Sequence, residues 1–437
     1  MDGFIAKVKN TLVSLIESLD SYAYMWSKQP EKDFTRKRKL PFSTMVKSLL
    51  EMEANTLDYE IMKLFNYDLN MPSKSAFVQQ RGKILFEVFE FIFREFNQSF
   101  PCTKRFNGYR LLACDGSDLN ISRNPNDTDN YFQSNPGEKG FNLLHMNAFY
   151  DLCSRRYCDV FLQPGRKANE RSALCAMVDR QTDTDKTILI SDRGYEGYNV
   201  IAHIERKGMY YLIRAQDRHQ NGILSGLILP ECDAFDVDVE ICLTRKQTKM
   251  VKARKDIYHI LPKDTTFDFL DLHFDKFYPL KLRVLRFELD NGEFECVITN
   301  LCRDEFPPDD IKQIYHMRWG IETAFRELKY SIGLSSFHSK KVEFVKQEIF
   351  ARLILYNFCE LITTHIVIQK NTCKHTYRLN FSAAVHICRQ FLLDRSTLSP
   401  PDVKALLLKF LEPVRDGRHD PRKVKPRSFV SFTYRAA

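Results

Sequence analysis

"YHMRWGIETAFRELK", residues 315–329, is the stretch that decides how the rest of the chain is read. Taken as a helix at ~100° per residue, Tyr315, Arg318, Glu322 and Lys329 fall within an arc of about 60°, with Arg326 and Trp319 flanking it. Ile314, Met317, Ile321, Phe325 and Leu328 centre on another face roughly 110° away, which is the side that can pack. A solvated face stitched by weak ion pairs, Arg318 to Glu322 among them, would account for the charges. It does not account for Trp319, an indole with little reason to sit in water. The pattern predicts a helix that packs on one side and aims a polar stripe along a cleft. Its bounds are marked by Pro307 and Pro308 at the start and Gly333 at the end, with Asp309 and Asp310 near the first turn and Lys329 near the last, as the helix dipole favours.

Two further carboxylates give Glu322 something to meet. Asp115 lies in "LLACDGSDL" (111–119) and Asp192 in "ILISDRGY" (188–195). Each follows an apolar strand-like run and precedes a glycine by one or two residues, which predicts a carboxylate at the rim of a buried sheet, where α/β folds build their sites. Three converging carboxylates bind hard divalent cations such as Mg²⁺ through oxygen. Two such ions suit an in-line phosphodiester displacement, one at the attacking and one at the leaving oxygen. Asp118, three residues beyond Asp115, reads as a cap on the turn that follows.

Outward from these motifs the texture of the chain changes several times. Residues 1–105 read as helical, from "FIAKVKNTLVSLIESLDSYAYMW" (4–26) and "GKILFEVFEFIFREFN" (82–97), with a basic run "DFTRKRKLPF" (33–42) between them and a helix start near Pro72 and Ser75. This is the expected DNA-binding region. Residues 106–217 give the order β-β-β-α-β-α-β, an α/β layer with helices over a mixed sheet. Residues 218–303 are strand-like again, with Asp290, Asn291 and Gly292 as a hairpin turn, and read as a β-rich insertion. Residues 304–395 return to helix with the glutamate stretch and "EFVKQEIFARLILYNFCELITTHIVI" (343–368), whose His365 reads as packed. Residues 396–437 end in a basic, Pro-containing tail able to lie along nucleic acid.

Composition narrows the class. At 437 residues the chain is long enough for two or three domains, and 65 Lys plus Arg against 56 Asp plus Glu leaves a net charge of +9, which favours a polyanionic partner. The 12 cysteines are dispersed, with no close CxxC pair. Neither Cys153 with Cys158 nor Cys296 with Cys302 reads as a zinc site, and the expectation is reduced, mostly core thiols in a cytoplasmic protein. No apolar run reaches the ~18–20 residues of a membrane span.

The set "DGS", "SDRGY" and Tyr315, Arg318, Glu322, Lys329 in the spacing Y-x2-R-x3-E-x6-K resembles the DDE transposases of the insertion-sequence-four family. The resemblance covers most of the chain and implies a ribonuclease H-like core interrupted by a β-rich insertion before the glutamate helix. It implies that Asp115, Asp192 and Glu322 form a catalytic, metal-binding triad for two Mg²⁺ ions, with Mn²⁺ able to substitute. It further implies that Tyr315, Arg318, Lys329, Arg214 and Arg326 hold DNA and that Trp319 stacks on a base taken out of the duplex. The implied reaction frees a 3′-OH at the element's end, passes through a hairpin and ends in strand transfer. Its partners would be double-stranded DNA, as terminal inverted repeats and as target, and a second copy of the chain in the DNA complex. Two alternatives stay open: a catalytically inactive transposase-derived DNA-binding protein, and a ribonuclease H-like nuclease without strand transfer.

Overall fold

The computed structural model describes residues 2–36, 38–218, 220–271, 276–289, 292–366, 368, 377–393 and 397–414. Five helices precede the first long strand: α1 (Asp2–Ser18), α2 (Phe42–Glu51), α3 (Leu57–Leu64), α4 (Lys74–Arg81) and α5 (Glu87–Ser99). A 3₁₀ segment (Leu19–Trp26) continues α1. The cap of α4 is Ser73, whose side chain accepts from the Ala76 amide, and not the Ser75 that the sequence suggested. The hydroxyl must stand one residue outside the helix to reach that amide.

The strands follow as β1 (Arg110–Ile121), β2 (Tyr131–Phe132), β3 (Phe141–Asp151) and β4 (Arg156–Pro164), then α6 (Glu170–Asp179), β5 (Thr187–Ser191), α7 (Tyr198–Arg206) and β6 (Tyr210–Ala215). After these come β7 (Phe235–Thr244), α8 (Lys249–Ala253), β8 (Tyr258–Ile260), β9 (Tyr278–Glu288) and β10 (Phe294–Thr299). All ten strands belong to one mixed sheet in the order β2-β3-β1-β5-β6-β10-β9-β7-β8, with β4 also paired to β3, on the edge away from β1. The strands of 218–303 thus extend the sheet through the antiparallel pairing of β10 with β6. β9 and β10 pair as a hairpin; its turn residues Asp290 and Asn291 lie outside the described residues.

Side chains alternate along β1 and so feed separate cores on the two faces. Leu112 and Cys114 join α6 and α7 in one apolar cluster, while Ala113 and Leu119 join the helices of the opposite face in another. α9 (Pro308–Met317) packs with Leu111 in a third cluster, and the helices that meet Ala113 and Leu119 include α10 (Trp319–Arg326), continued by a π turn at Glu327–Ser331, and α11 (Val342–Thr363). The chain ends its described part with β11 (Tyr377–Leu379), α12 (Phe381–Leu392), α13 (Pro400–Lys409) and β12 (Leu411–Pro413). The basic tail from residue 415 lies outside the described residues.

α11 is buried along almost its whole length and serves as the axle between the first helices and the sheet. Its Glu348, fully buried, holds Arg81 of α4 at 3.0 Å, His338 at 3.0 Å and Arg352 at 3.4 Å. The carboxylate and the two guanidiniums are tolerable in so dry a place because each is paired; a lone one would cost several kcal/mol, on the order of 3–5. His365, at the end of α11, stacks on the Phe4 ring at 4.2 Å, a packed histidine as its apolar context suggested.

Among the described residues no helix is long and apolar enough to cross a membrane. The cysteines depart from expectation: of the eleven described, Cys114, Cys175, Cys296, Cys359 and Cys388 are buried and the other six are half-buried or exposed. All eleven are free thiols. Apolar neighbours in sequence do not by themselves bury a thiol at a strand edge or in a connecting segment.

Candidate active site

The site begins with a register. β1 and β5 run parallel, and their pairing ends at Cys114 opposite Ser191. Asp115 and Asp192 are the next residues on these two adjacent strands, which in a sheet lie ~4.8 Å apart. The rim was foreseen, but its construction was not: β1 does not end at Asp115. It continues to Ile121 against β3, with Asp115 opposite Ala148, and the rim arises because β5 stops. Asp192 caps the short 3₁₀ turn that follows, taking the Arg193 amide at 2.7 Å, and Asp115 takes the Gly116 amide at 2.8 Å.

Glu322 arrives on α10, which packs against β1. Gly320 lets that helix come close, since a Cβ there would stand 2.9 Å from Leu152. Asp115 senses the other two carboxylates. Burial pushes the Asp115 carboxyl up to about 6; Glu322 and Asp192 add to the rise, against the Gly116 hydrogen bond and the Arg318 charge. Two guanidiniums answer the negative charge: Arg318 reaches Glu322 at 3.1 Å, and Arg214 reaches Asp192 at 3.6 Å. The triad is an open one, because among the described residues only Cys102, Asp151 and Cys158 bring three ligand atoms within 4.8 Å of one another.

An all-oxygen set of mutually repelling carboxylates, neutralised by side-chain cations, is the donor chemistry that suits Mg²⁺ or Mn²⁺. The residues present therefore fit such ions, with the guanidiniums of Arg318 and Arg214 standing in for their charge.

The polar stripe divides once it is folded. Tyr315 and Arg318 are 4% and 3% exposed, and Tyr315 packs with Ile311 and Ile314 in an apolar cluster. Among the described residues the buried Tyr315 hydroxyl and Arg318 Nε have no hydrogen-bond partner, two donors left over beside the carboxylates. Lys329, on the π turn, donates to the Asp118 carbonyl at 3.0 Å. Arg326 is exposed, and Trp319 is half in water with the Arg318 guanidinium over its ring at 5.2 Å. Arg214 is no free arm either: its Nε holds Glu295 at 2.8 Å.

Asp118 does not cap a turn. It sits within β1 opposite His145 of β3, and the His145 Nδ1 meets its carboxylate at 2.7 Å. The other ring nitrogen faces Glu170 at 3.5 Å. Burial works to lower the His145 value, yet Asp118 and Glu170 raise it to about 9, so the ring is a cation at neutral pH. Glu170, at the start of α6, fits between Gly116 of β1 and the turn after Asp192. A Cβ on Gly116 would stand 2.6 Å from one of its oxygens, and a Cβ on Gly194 2.7 Å from the other.

Sequence reading missed three residues here: His145, Glu170 and Glu295. Glu170 was absorbed into an amphipathic helix, though its place just inside an Asn169 cap marks it as a first-turn acid. Glu295 interrupts the apolar run of β10, and burial pushes its carboxyl up while Arg214 pulls it back. The signal available was a lone acid inside a buried strand.

Residues 106–358 match the family described as transposase DDE domain. The chain belongs to that family. Transposase InsG for insertion sequence element IS4 of Escherichia coli (strain K12) is 29% identical over 133 residues, 28% of this chain and 29% of that protein. The transposase for insertion sequence element IS421 of Escherichia coli is 35% identical over 75 residues, 17% of this chain and 20% of the relative. The DDE chain thus spans less than a third of the length of these curated relatives in its alignments to them. Among solved structures, a piggyBac transposase synaptic complex with hairpin DNA, determined by cryo-electron microscopy, aligns over 95% of this chain and 86% of that one, with a TM-score of 0.43 and 10% identity.

Proposed function

We propose that this DDE-family chain is the transposase of an insertion sequence, cutting the DNA at the ends of its own element and joining the freed ends to a target. The observation that supports this most strongly is the adjacency of Asp115 and Asp192 beyond the Cys114–Ser191 pair, with Glu322 adding its charge to Asp115 from the helix packed on β1. In this reading the sheet order around β3-β1-β5-β6 is a ribonuclease H-like core, the strands between 218 and 303 are an insertion, and residues 1–105 bind DNA. Asp115, Asp192 and Glu322 hold two divalent ions, Mg²⁺ or Mn²⁺. Bound there, such ions supply Lewis acidity at the phosphate and lower the pKa of the attacking water or hydroxyl.

The chain's own residues do the positioning. Arg318 and Tyr315, with their buried donors, donate hydrogen bonds to phosphate oxygens close to the scissile bond. Lys329, Arg326 and Arg214 neutralise the backbone on either side. Trp319 offers its exposed face to a base displaced from the stack. Water first cleaves the phosphodiester to leave a 3′-OH. That hydroxyl attacks the opposite strand to close a hairpin, and water reopens the hairpin. In the last step the 3′-OH attacks the target strand. Two ends have to be held together for joining, so two copies act on one pair of ends.

The test uses the purified chain, Mg²⁺ and linear DNA carrying the inverted repeats that bracket its reading frame, with a supercoiled plasmid as target. End cleavage with joined product is the expected result. Binding without cleavage would make the chain an inactive DNA-binding relative, and cleavage without joined product would make it a nuclease.

A further inference from the structure

Cys102 stands on the segment between α5 and β1, and Cys158 lies near the start of β4. Their sulfurs are within hydrogen-bonding reach of each other, and with an oxygen of Asp151 they form a group closed to within 4.8 Å. Two thiols and a carboxylate in this arrangement are also what a soft metal ion would choose. The surrounding charge decides between the two uses. Arg156 Nη2 donates to the Cys102 sulfur at 3.0 Å, and Arg110 Nη2 to the Cys158 sulfur at 3.2 Å. Asp151 is already taken: Arg110 Nε bonds one of its oxygens at 3.1 Å and the Ser154 amide the other at 2.7 Å. A metal ion would enter against two fixed guanidiniums and compete with them for every ligand. A thiolate is what such surroundings favour.

We propose that Cys102 and Cys158 form an oxidisable dithiol that reacts with hydroperoxides, Cys158 attacking and Cys102 resolving, and that closes to a disulfide tying the segment before β1 to β4. The Cys158 thiolate, its proton given to solvent, attacks one peroxide oxygen, the O–O bond breaks, and the other oxygen takes a proton back from solvent and leaves as water or an alcohol, leaving a sulfenic acid. The Cys102 thiol then attacks that sulfur. The S–S bond forms, the S–O bond breaks, and the hydroxyl departs with the Cys102 proton as a second water. The sulfurs lose two electrons and the peroxide gains them.

The division of labour follows the environment. The hydrogen bond from Cys102 holds the Cys158 thiol below its usual value; burial opposes this, and Arg110 and Arg156 assist it. Cys102 is pushed the other way, first by that same shared proton and then by burial. Cys102 and Cys158 are half-buried residues, each with part of its surface in water. The contrast is Cys359 with Cys388, also within reach of each other but fully buried in the apolar core, where burial pushes Cys359 up and leaves it inert.

The experiment treats the full chain with a slight excess of hydrogen peroxide, blocks the remaining thiols and maps the unreduced peptides by mass spectrometry. A peptide joining Cys102 to Cys158 is expected, forming about ten-fold faster than any oxidation of the half-buried Cys153. Cys102→Ser should halt the reaction at a sulfenic acid on Cys158 that a cyclic diketone traps. Cys158→Ser should leave Cys102 unoxidised on the same timescale. Oxidation that starts at the exposed Cys232 or Cys302, with no linked peptide from the unaltered chain, overturns the proposal. So does one equivalent of zinc in the purified chain that is lost on Cys158→Ser. Neither outcome bears on DNA cleavage.

Discussion

Glu170 closes directly against Gly116: a methyl group on that glycine would stand 2.6 Å from its Oε1. The glycine after Asp115 is therefore present for room, and the carboxylate that fills the room also contacts His145 at 3.5 Å. Gly194, two residues after Asp192, makes the same allowance for the other oxygen of Glu170 at 2.7 Å.

Alanine at either glycine should thus push Glu170 aside. Gly116→Ala also meets the His145 ring at 2.8 Å, so it should cost stability, about 1–3 kcal/mol in urea unfolding, as overpacking does. Gly194→Ala meets only the flexible end of Glu170 and should cost about 1 kcal/mol or less. Both should reduce end cleavage by more than their stability loss explains. Equal stability costs with full cleavage would show that Glu170 moves freely and orders nothing.

The Glu348 cluster makes an acid-sensitive joint between α4 and α11. Burial works to raise the Glu348 value, but Arg81, His338 and Arg352 together hold it well below the usual carboxylate range. A depressed carboxylate gives stability that is complete above its unfolded value, ~4.3, and is lost as pH falls toward the folded value. Unfolding free energy should therefore drop steeply below about pH 4. Glu348→Gln should cost about 3–5 kcal/mol at neutral pH and flatten that acid limb. A variant as stable as the parent at pH 7, measured by urea denaturation, would contradict the account.

Lys329 and Arg326 enter the function as phosphate contacts, and salt reads such contacts directly. Each replacement by alanine should lower the slope of log K against log salt for end binding by roughly one. An unchanged slope for both would return them to local roles, Lys329 to its bond with the Asp118 carbonyl and Arg326 to an ordinary exposed charge.

Much of this site was legible because strands and helices write their periods into the sequence. The runs before Asp115 and Asp192 are buried strands, and the stretch around Glu322 is a helix against the sheet. What a helical wheel cannot see is the third element. Tyr315 falls on the polar stripe of an isolated helix, yet α9 packs its ring into the apolar cluster beneath β5 and β6. The wheel also assumes one pitch throughout, whereas Glu327–Ser331 is a π turn, so the angle of Lys329 was set by an assumption the backbone does not keep. Asp118 looked like a turn residue because Asp-Gly-Ser-Asp is turn-like locally; pairing of β1 with β3 overrides that preference. Glu170 and Glu295 were hidden for another reason. Their meaning lies in what faces them, Gly116 and Gly194 for one and Arg214 for the other, and those partners are remote in sequence.

The central claim is that Asp115, Asp192 and Glu322 act as one metal-holding unit in DNA cleavage. Mg²⁺-dependent nicking of terminal-repeat DNA, measured for the parent chain and for Glu322→Ala alongside end binding, tests it most directly. The account predicts a loss of about a thousand-fold or more in cleavage with end affinity changed only a few-fold. Cleavage by Glu322→Ala at the parent rate in Mg²⁺ would contradict it.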